Sequence, residues 1–228
     1  MSDAELRFDL PGGGHALFTG RAHGNMSSVG GEHAERAADA RERLRAQIGV
    51  ETLARGHQAH GTVVRLVTAP PTADQPDATP AQADGQATAL AGVGAMVLAA
   101  DCLPVALGSA GAVAMIHAGW RGLAAGVLET GVSAVRELGR EQEVTAIVGP
   151  AAGVCCYEVG AEVHAAFAEA HRDGSHIDLR AIARERLLAA GVTDVRDVRA
   201  CTICDERFFS HRREGSRAGR QAGVAWLS

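Results

Sequence analysis

The chain reads as an α/β or α+β protein built on a mixed sheet, and three observations carry that class. Short apolar runs alternate with segments of helical period along the whole of the 228 residues. Glycine and proline punctuate the boundaries between them. Hydrophobic content of 46% beside 21% charged residues suits a chain with a sizeable buried core. No internal repeat and no clean linker divides it, so a single domain over residues 1–228 is expected.

The elements follow in order. Leu6 to Leu10 and His15 to Thr19 form two short strands around the Pro11–Gly14 turn. The stretch Gly20 to Gly31, rich in glycine and serine, is loop. Glu32 to Ile48 is rich in helix formers and charged on most faces, a surface helix that Gly49 ends. Gly61 to Val67 is a β run. From Ala69 to Ala89 the chain carries Pro70, Pro71, Pro76 and Pro80 among Ala, Asp and Gln. That is the composition of an exposed linker or long loop, a lid or a disordered segment, with a short return at Ala83-Asp84-Gly85.

Two apolar runs come next, AMVLAA (Ala95 to Ala100) and AVAMI (Ala112 to Ile116). The turn signal Gly108 to Gly111 lies between them, so they read as a β-hairpin or adjacent strands. Leu123 to Leu138 has helical spacing, and Val144 to Val148 is a strand stopped by Gly149-Pro150. Ala161 to His171 and Asp178 to Ala190 are helices, the second with Asp178 as N-cap. Val195 to Ala200 is a strand, and the Arg-rich tail ends in the β-like AGVAWL (Ala222 to Leu227).

Charge and composition narrow the function. A formal net charge of −5 gives no electrostatic reason to expect nucleic acid or an anionic membrane surface as partner. The N-terminus MSDAELRFDLPGG has neither a basic nor an apolar signal region, and no apolar run approaches the roughly 18 residues of a membrane span. A soluble, cytoplasmic protein is expected. All 22 basic residues are arginine, which excludes a P-loop lysine, a Schiff base and pyridoxal phosphate attachment. The five cysteines (102, 155, 156, 201 and 204) are odd in number, favouring metal binding, catalysis or burial over disulfides.

The stretch from Ala99 to Gly122 concentrates the chemistry. Cys102 follows one apolar run, His117 closes the other, and His60 stands just before a β-branched run. Two histidines and a cysteine at strand edges are the ligand inventory of a catalytic zinc site, which uses three protein ligands and leaves a fourth position open. The same residues permit a Cys102 nucleophile with His117 as its base, oriented by Asp101 or His60. The bland alternative for each is a buried thiol or a satisfied histidine. Cys155-Cys156 reads as inert vicinal thiols, and Cys201-x-x-Cys204 as a lone half-site of mostly structural meaning. Arg121, Arg212, Arg213 and Arg220, near Trp120, Phe208 and Phe209, suit phosphate or carboxylate forks beside ring-stacking surfaces. Pairing with Glu206 and Glu214 in solvent is their plain alternative.

The motifs QAHG (Gln58 to Gly61), ADG (Ala83 to Gly85), ADCLPV (Ala100 to Val105) and HAGWRG (His117 to Gly122) resemble those of the YfiH/laccase-domain family. The likeness continues through GPAAGVCCYEVG (Gly149 to Gly160) and the tail from Cys201 to Leu227. It implies a sandwich of mixed β-sheets flanked by helices. It also implies a zinc centre on His60, Cys102 and His117, with copper as the older alternative. The implied activity is phosphorolysis of adenosine, inosine, guanosine and methylthioadenosine, with deamination of adenosine. Asn25-Met26-Ser27 and Ala40-Arg41 depart from the family pattern, which has an Asn-Leu element and an Asn-Arg pair there.

The expectation is therefore a zinc-dependent purine nucleoside phosphorylase with adenosine deaminase activity. Its partners would be purine nucleosides and phosphate, and the chain a monomer or homodimer. Asp101 and Glu158 are the candidates for proton transfer, and Arg41, Arg121, Arg212, Arg213 and Arg220 for holding phosphate. A Cys-His hydrolase of amides or cell-wall precursors is the rival. A copper-dependent polyphenol oxidase is the weaker one, because ten histidines with no His-x-His pair do not build a multicopper cluster.

Overall fold

A computed structural model of the chain describes residues 6–71 and 81–228. Leu6–Leu10 (β1) and Gly14–Phe18 (β2) pair as a hairpin across a 3₁₀ turn at Pro11–Gly13. Helix α1 spans Ala37–Ile48 and starts later than Glu32, because His33 sits at φ 59° and only a 3₁₀ turn at Ala34–Arg36 leads in. Gly49 caps it as expected. Strands β3 (Thr52–Ala54), β4 (Val64–Val67) and β5 (Gly85–Thr88) follow. Strand β5, buried at every position, begins at the last residue of the expected return Ala83-Asp84-Gly85 and corrects the loop reading for the remainder, Gln86 to Thr88. Residues 72–80, which include Pro76 and Pro80, lie outside the described residues.

The expected pairing of AMVLAA with AVAMI is also corrected. AMVLAA belongs to β6 (Val93–Ala99), while the hairpin partner of β8 (Ala112–Ala118) is the intervening β7 (Leu103–Ser109). Pro104 obscured β7 in the sequence; it is tolerated as the second residue, where the strand begins. The single helix expected from Leu123 is two, α2 (Trp120–Ala125) and α3 (Val127–Leu138), broken where Gly126 takes φ +99°.

Strand β9 is Thr145–Val148 and helix α4 is Ala161–Ala165. Extended backbone at Ala168 stops the helix expected to reach His171, leaving a 3₁₀ turn at Glu169–His171. After the small hairpin β10 (Arg172–Asp173) and β11 (His176–Ile177), α5 runs Leu179–Ala189. The Asp178 side chain caps it by accepting the Arg180 and Ala181 amides, as the sequence predicts. Strand β12 (Asp194–Asp197) ends short of Ala200 because Arg199 turns at φ 56°. Helix α6 (His211–Glu214) and strand β13 (Gln221–Leu227) complete the chain.

The larger strands form two mixed sheets. One has the order β1-β2-β13-β6-β3, antiparallel except for the β3/β6 pair. The other has the order β12-β9-β7-β8-β5-β4, parallel only at its two edges. Alternation along the strands sorts the side chains into layers. Phe18, Val97 and Ala225 of the first sheet meet Ala106, Met115 and Ile147 of the second. Leu44 and Ile48 of α1 cover the outer face of the first sheet against Leu17 and Trp226. Leu123, Val132 and Ile182 of α2, α3 and α5 cover the outer face of the second, against Leu107 and Ile116. The result is an α/β arrangement with mixed sheets, as the sequence predicts, built as the helix-flanked sandwich that the family resemblance implies.

One connection matters most. Ala99 ends β6 in one sheet and Leu103 starts β7 in the other, so Asp101 and Cys102 cross between sheets at one end of the sandwich. Asp101 makes the crossing at φ 90°. Its carboxylate accepts the Thr202 hydroxyl and the Arg212 amide, both at 2.7 Å, which holds this unfavourable backbone in place.

Candidate metal centre

His117 lies near the end of β8 on the same strand face as Met115, and Pro104 is its register partner on β7. Cys102, two residues before Pro104, therefore arrives beside it on the adjacent strand line. His60 comes from the loop before β4. The ligand-capable atoms of His60, Cys102 and His117 all lie within 4.8 Å of one another. Cys102 Sγ is 3.7 Å from His60 Nε2, and the two imidazoles meet edge to face at 4.9 Å between centroids.

Asp84 organises two of the three. Its carboxylate accepts the backbone amides of Ala59, His60 and Gly61 at 3.1, 2.9 and 2.8 Å. His60 at φ 58° lets those successive N–H groups converge into an anion-binding nest. The same carboxylate accepts Nδ1–H of His117 at 2.9 Å, and the Asp84 carbonyl accepts the His117 amide at 2.6 Å. Gln58 holds the loop from the other side, its side-chain amide exchanging two hydrogen bonds with Leu98 of β6 at 2.7 and 2.8 Å. Gly119 makes room for the assembly: a Cβ there would stand 2.4 Å from His60 Cδ2 and 3.3 Å from Cys102 Sγ.

The electrostatics follow from this packing. Burial opposes charge on Cys102, yet the His117 cation and hydrogen bonds from both histidines outweigh it and bring the thiol down to about 6. Burial also opposes charge on His117, but Cys102 and Asp84 raise it to about 9. Asp84 is buried, which pushes its carboxyl up; the bonds from His117, Gly61 and Ala59 prevail and hold it below the usual carboxylate range. The donor set fits zinc. A thiolate and two imidazoles converge, and His117 spends Nδ1 on a carboxylate, leaving Nε2 free to ligate.

These residues line a cleft of ≈ 700 Å³. Arg55, Arg121, Arg212 and Arg220 border it with Trp120 and Tyr157. Arg121 stacks over Trp120 at 4.2 Å and Arg212 over Tyr157 at 4.9 Å, so two cation–aromatic pairs border the opening. Each arginine has other contacts: Arg121 with the Glu162 carboxylate at 3.6 Å, Arg212 with the Glu158 carbonyl at 2.8 Å, and Arg220 with two carbonyls of its own loop.

The remaining candidates are placed elsewhere. Arg41 donates to the Met26 carbonyl and Arg213 to the carbonyls of Thr202, Ile203 and Phe208, both away from the cleft lining. Glu158 is exposed and does not line the cleft. Phe208 and Phe209 are buried, so the ring surfaces available are those of Trp120 and Tyr157 instead. Asp101 borders the cleft with its carboxylate already engaged. Sequence reasoning gave no role to Asp84, Gln58 or Tyr157. Their signal was position inside the ADG, QAHG and CCYEVG motifs.

Residues 14–228 match the family described as multi-copper polyphenol oxidoreductase laccase. The chain is 38% identical over 244 residues to a purine nucleoside phosphorylase of Xylella fastidiosa (strain Temecula1), covering 100% of this chain and 92% of the relative. An adenosine deaminase from an unknown prokaryotic organism is 34% identical over 219 residues, 86% of this chain and 84% of its own. Among solved structures, a protein of Neisseria meningitidis superposes with a TM-score of 0.84 at 33% identity, over 98% of this chain and 99% of that one. Among the described residues no helix is long and apolar enough to cross a membrane.

Proposed function

The chain belongs to the multi-copper polyphenol oxidoreductase laccase family, and we propose that it is a zinc-dependent purine nucleoside phosphorylase that also deaminates adenosine. The observation that carries this reading is the convergence of His60, Cys102 and His117 in a cleft bordered by arginines and aromatic rings. The names of the relatives support the substrate class. A set of two histidines and one cysteine has no capacity for the several coppers of a laccase, which speaks against phenol oxidation.

His60, Cys102 and His117 would hold the zinc ion, which would supply Lewis-acid chemistry against negative charge developing on the substrate. The chain's own residues do the rest. Trp120 and Tyr157 offer flat faces for a purine, and Arg121, Arg212 and Arg220 offer guanidinium forks for phosphate. In phosphorolysis a phosphate oxygen bonds to ribose C1′ as the bond to the base breaks, and those forks hold the nucleophile. In deamination water adds at C6 and ammonia leaves. Asp101 serves as a positioning residue, its engaged carboxylate fixing the backbone that presents Cys102. Asp84 sets the direction of the His117 ring.

The test is elemental analysis joined to an inosine-plus-phosphate assay before and after chelation. Near-stoichiometric zinc, with hypoxanthine release lost on chelation and restored by zinc, is expected. Turnover indifferent to chelation overturns the reading. A second reading, a Cys-His hydrolase, is favoured by one observation: without metal, Cys102 at about 6 beside His117 at about 9 makes a thiolate–imidazolium pair at neutral pH. It predicts thiol-reagent inactivation of a chelated yet active enzyme.

A further inference from the structure

Four of the five cysteines converge at a second place, outside the cleft lining. Cys155 and Cys156 lie in the turn after Gly153, and Cys201 and Cys204 in the turn beyond β12. Their sulfurs all lie within 4.8 Å of one another. Cys204 Sγ is 2.8 Å from Cys156 Sγ and 3.5 Å from Cys155 Sγ, and the vicinal pair is itself 3.5 Å apart. The vicinal thiols and the lone Cys-x-x-Cys of the sequence are thus two halves of one cluster.

Hydrogen bonds that do not involve the thiols bring the halves together. Ala151 and Cys201 form a parallel β-bridge, with the Ala151 amide on the Ala200 carbonyl at 3.2 Å and the Thr202 amide on the Ala151 carbonyl at 3.0 Å. Arg180 clamps the same strands by donating to the carbonyls of Gly149, Ala151 and Ala200. The cluster is therefore preorganised by the fold.

The backbone around Cys201 suits anionic sulfur. The Gly153 amide reaches Cys201 Sγ at 3.3 Å, and the amides of Ile203 and Cys204 bond to the same sulfur. Amides at the second and third positions after a cysteine are what a Cys-x-x-Cys turn offers a thiolate when it wraps an ion. The guanidinium of Arg213, itself paired with the Glu214 carboxylate at 2.7 Å, donates to the Thr202 and Ile203 carbonyls at 2.7 and 2.9 Å and so fixes the backbone of that turn.

We propose that Cys155, Cys156, Cys201 and Cys204 form a closed four-thiolate site for one zinc ion, separate from the His60–Cys102–His117 set. Zinc–sulfur bonds of about 2.3 Å put tetrahedral sulfurs about 3.8 Å apart, within the range the four thiols already span. So tight a group leaves no room for the bridging sulfides of an iron–sulfur cluster. With four thiolates the ion keeps no open position, so its role is to hold structure. It joins the turn that ends in Tyr157 to the turn that carries Thr202, the hydroxyl partner of Asp101. It is a rivet in one wall of the cleft.

The test is metal stoichiometry of the intact protein, reconstituted with zinc under reducing conditions, together with cobalt spectroscopy. The wild type is expected to hold two zinc ions per chain, with His117→Ala and Cys204→Ser each holding one. Cobalt bound to the His117→Ala protein should give the intense ligand-field and thiolate charge-transfer bands of a tetrahedral all-sulfur site. That readout needs no cysteine variant to fold and no activity. Cobalt bands without thiolate character overturn the proposal, as does a His117→Ala protein that holds no metal. A Cys156–Cys204 disulfide in protein kept reduced does so too. One zinc kept by His117→Ala but lost by Cys204→Ser, from a wild type holding one, supports this site while counting against zinc at the other.

Discussion

Asp84 reaches His117 twice, through its carboxylate to Nδ1 at 2.9 Å and through its carbonyl to the amide at 2.6 Å. The carboxylate also closes the nest of amides that includes His60. One buried side chain thus sets the separation of two imidazoles that come from different parts of the chain. Asp84→Asn keeps the size but supplies an amide that competes for the wrong partners. Zinc affinity is expected to fall about 10–100-fold, read by competition with a chromophoric chelator while circular dichroism stays native. Unchanged affinity would show that Asp84 does not orient the ligands.

Gly119→Ala places a methyl 2.4 Å from His60 Cδ2, and the exposed loop carrying His60 is the part free to yield. Displacing one ligand by an ångström or so should lower kcat/KM by on the order of 100-fold. The melting temperature should move by only a few degrees, since the core is untouched. Gly160→Ala, where the added carbon meets nothing within 4 Å, is the control and should leave kcat/KM unaltered.

In metal-stripped protein, Cys102 should alkylate as a low-pKa thiol. Its folded value of about 6 means that the thiolate accumulates as pH rises through 6 and is complete well below pH 9, where an ordinary thiol is half ionised. His117, charged up to about 9, maintains that thiolate. His117→Asn is expected to move the midpoint of the Cys102 peptide's labelling, followed by mass spectrometry, up by more than one pH unit. A midpoint that ignores the substitution would break the thiolate–imidazolium pairing.

Acid stability should depend on Glu214. Burial pushes its carboxyl up, but hydrogen bonds from Arg21 and Ser210 and the nearby Arg213 hold it below 4.5. A carboxyl depressed on folding adds stability that is present above about pH 4.5 and lost as pH falls through its folded value. Glu214→Gln should lose on the order of 1 kcal/mol near pH 7, after allowance for the part-exposed Arg21, and the difference should shrink below pH 4. Urea melts at several pH values measure it. An equal deficit at every pH would assign the effect to packing.

Much of the centre was legible because its ligands sit where the pattern changes. Cys102 and His117 each mark the edge of an apolar run, and His60 precedes another. Asp84 was not, since its role depends on amides 23–25 positions upstream that converge only in the folded chain. The strand pairing misled for a local reason. A proline and a glycine inside β7 hide it, so the pattern pairs β8 with β6, which lies in the other sheet. The four clustered cysteines were legible as two weak motifs, and nothing in their spacing says that a β-bridge at Ala151 and Cys201 brings them face to face.

His60 differs mechanically from its two companions. His117 lies on β8 and Cys102 immediately precedes β7, two paired strands buried along their full length, so their positions are tied to the integrity of the sandwich. His60 stands on an exposed loop held by Gln58 and Asp84, a segment able to open by itself at far lower cost. An ion held at this centre would then be lost by a local event. Its lifetime on the protein would be set by the unlatching of one loop and not by how hard the molecule is to unfold.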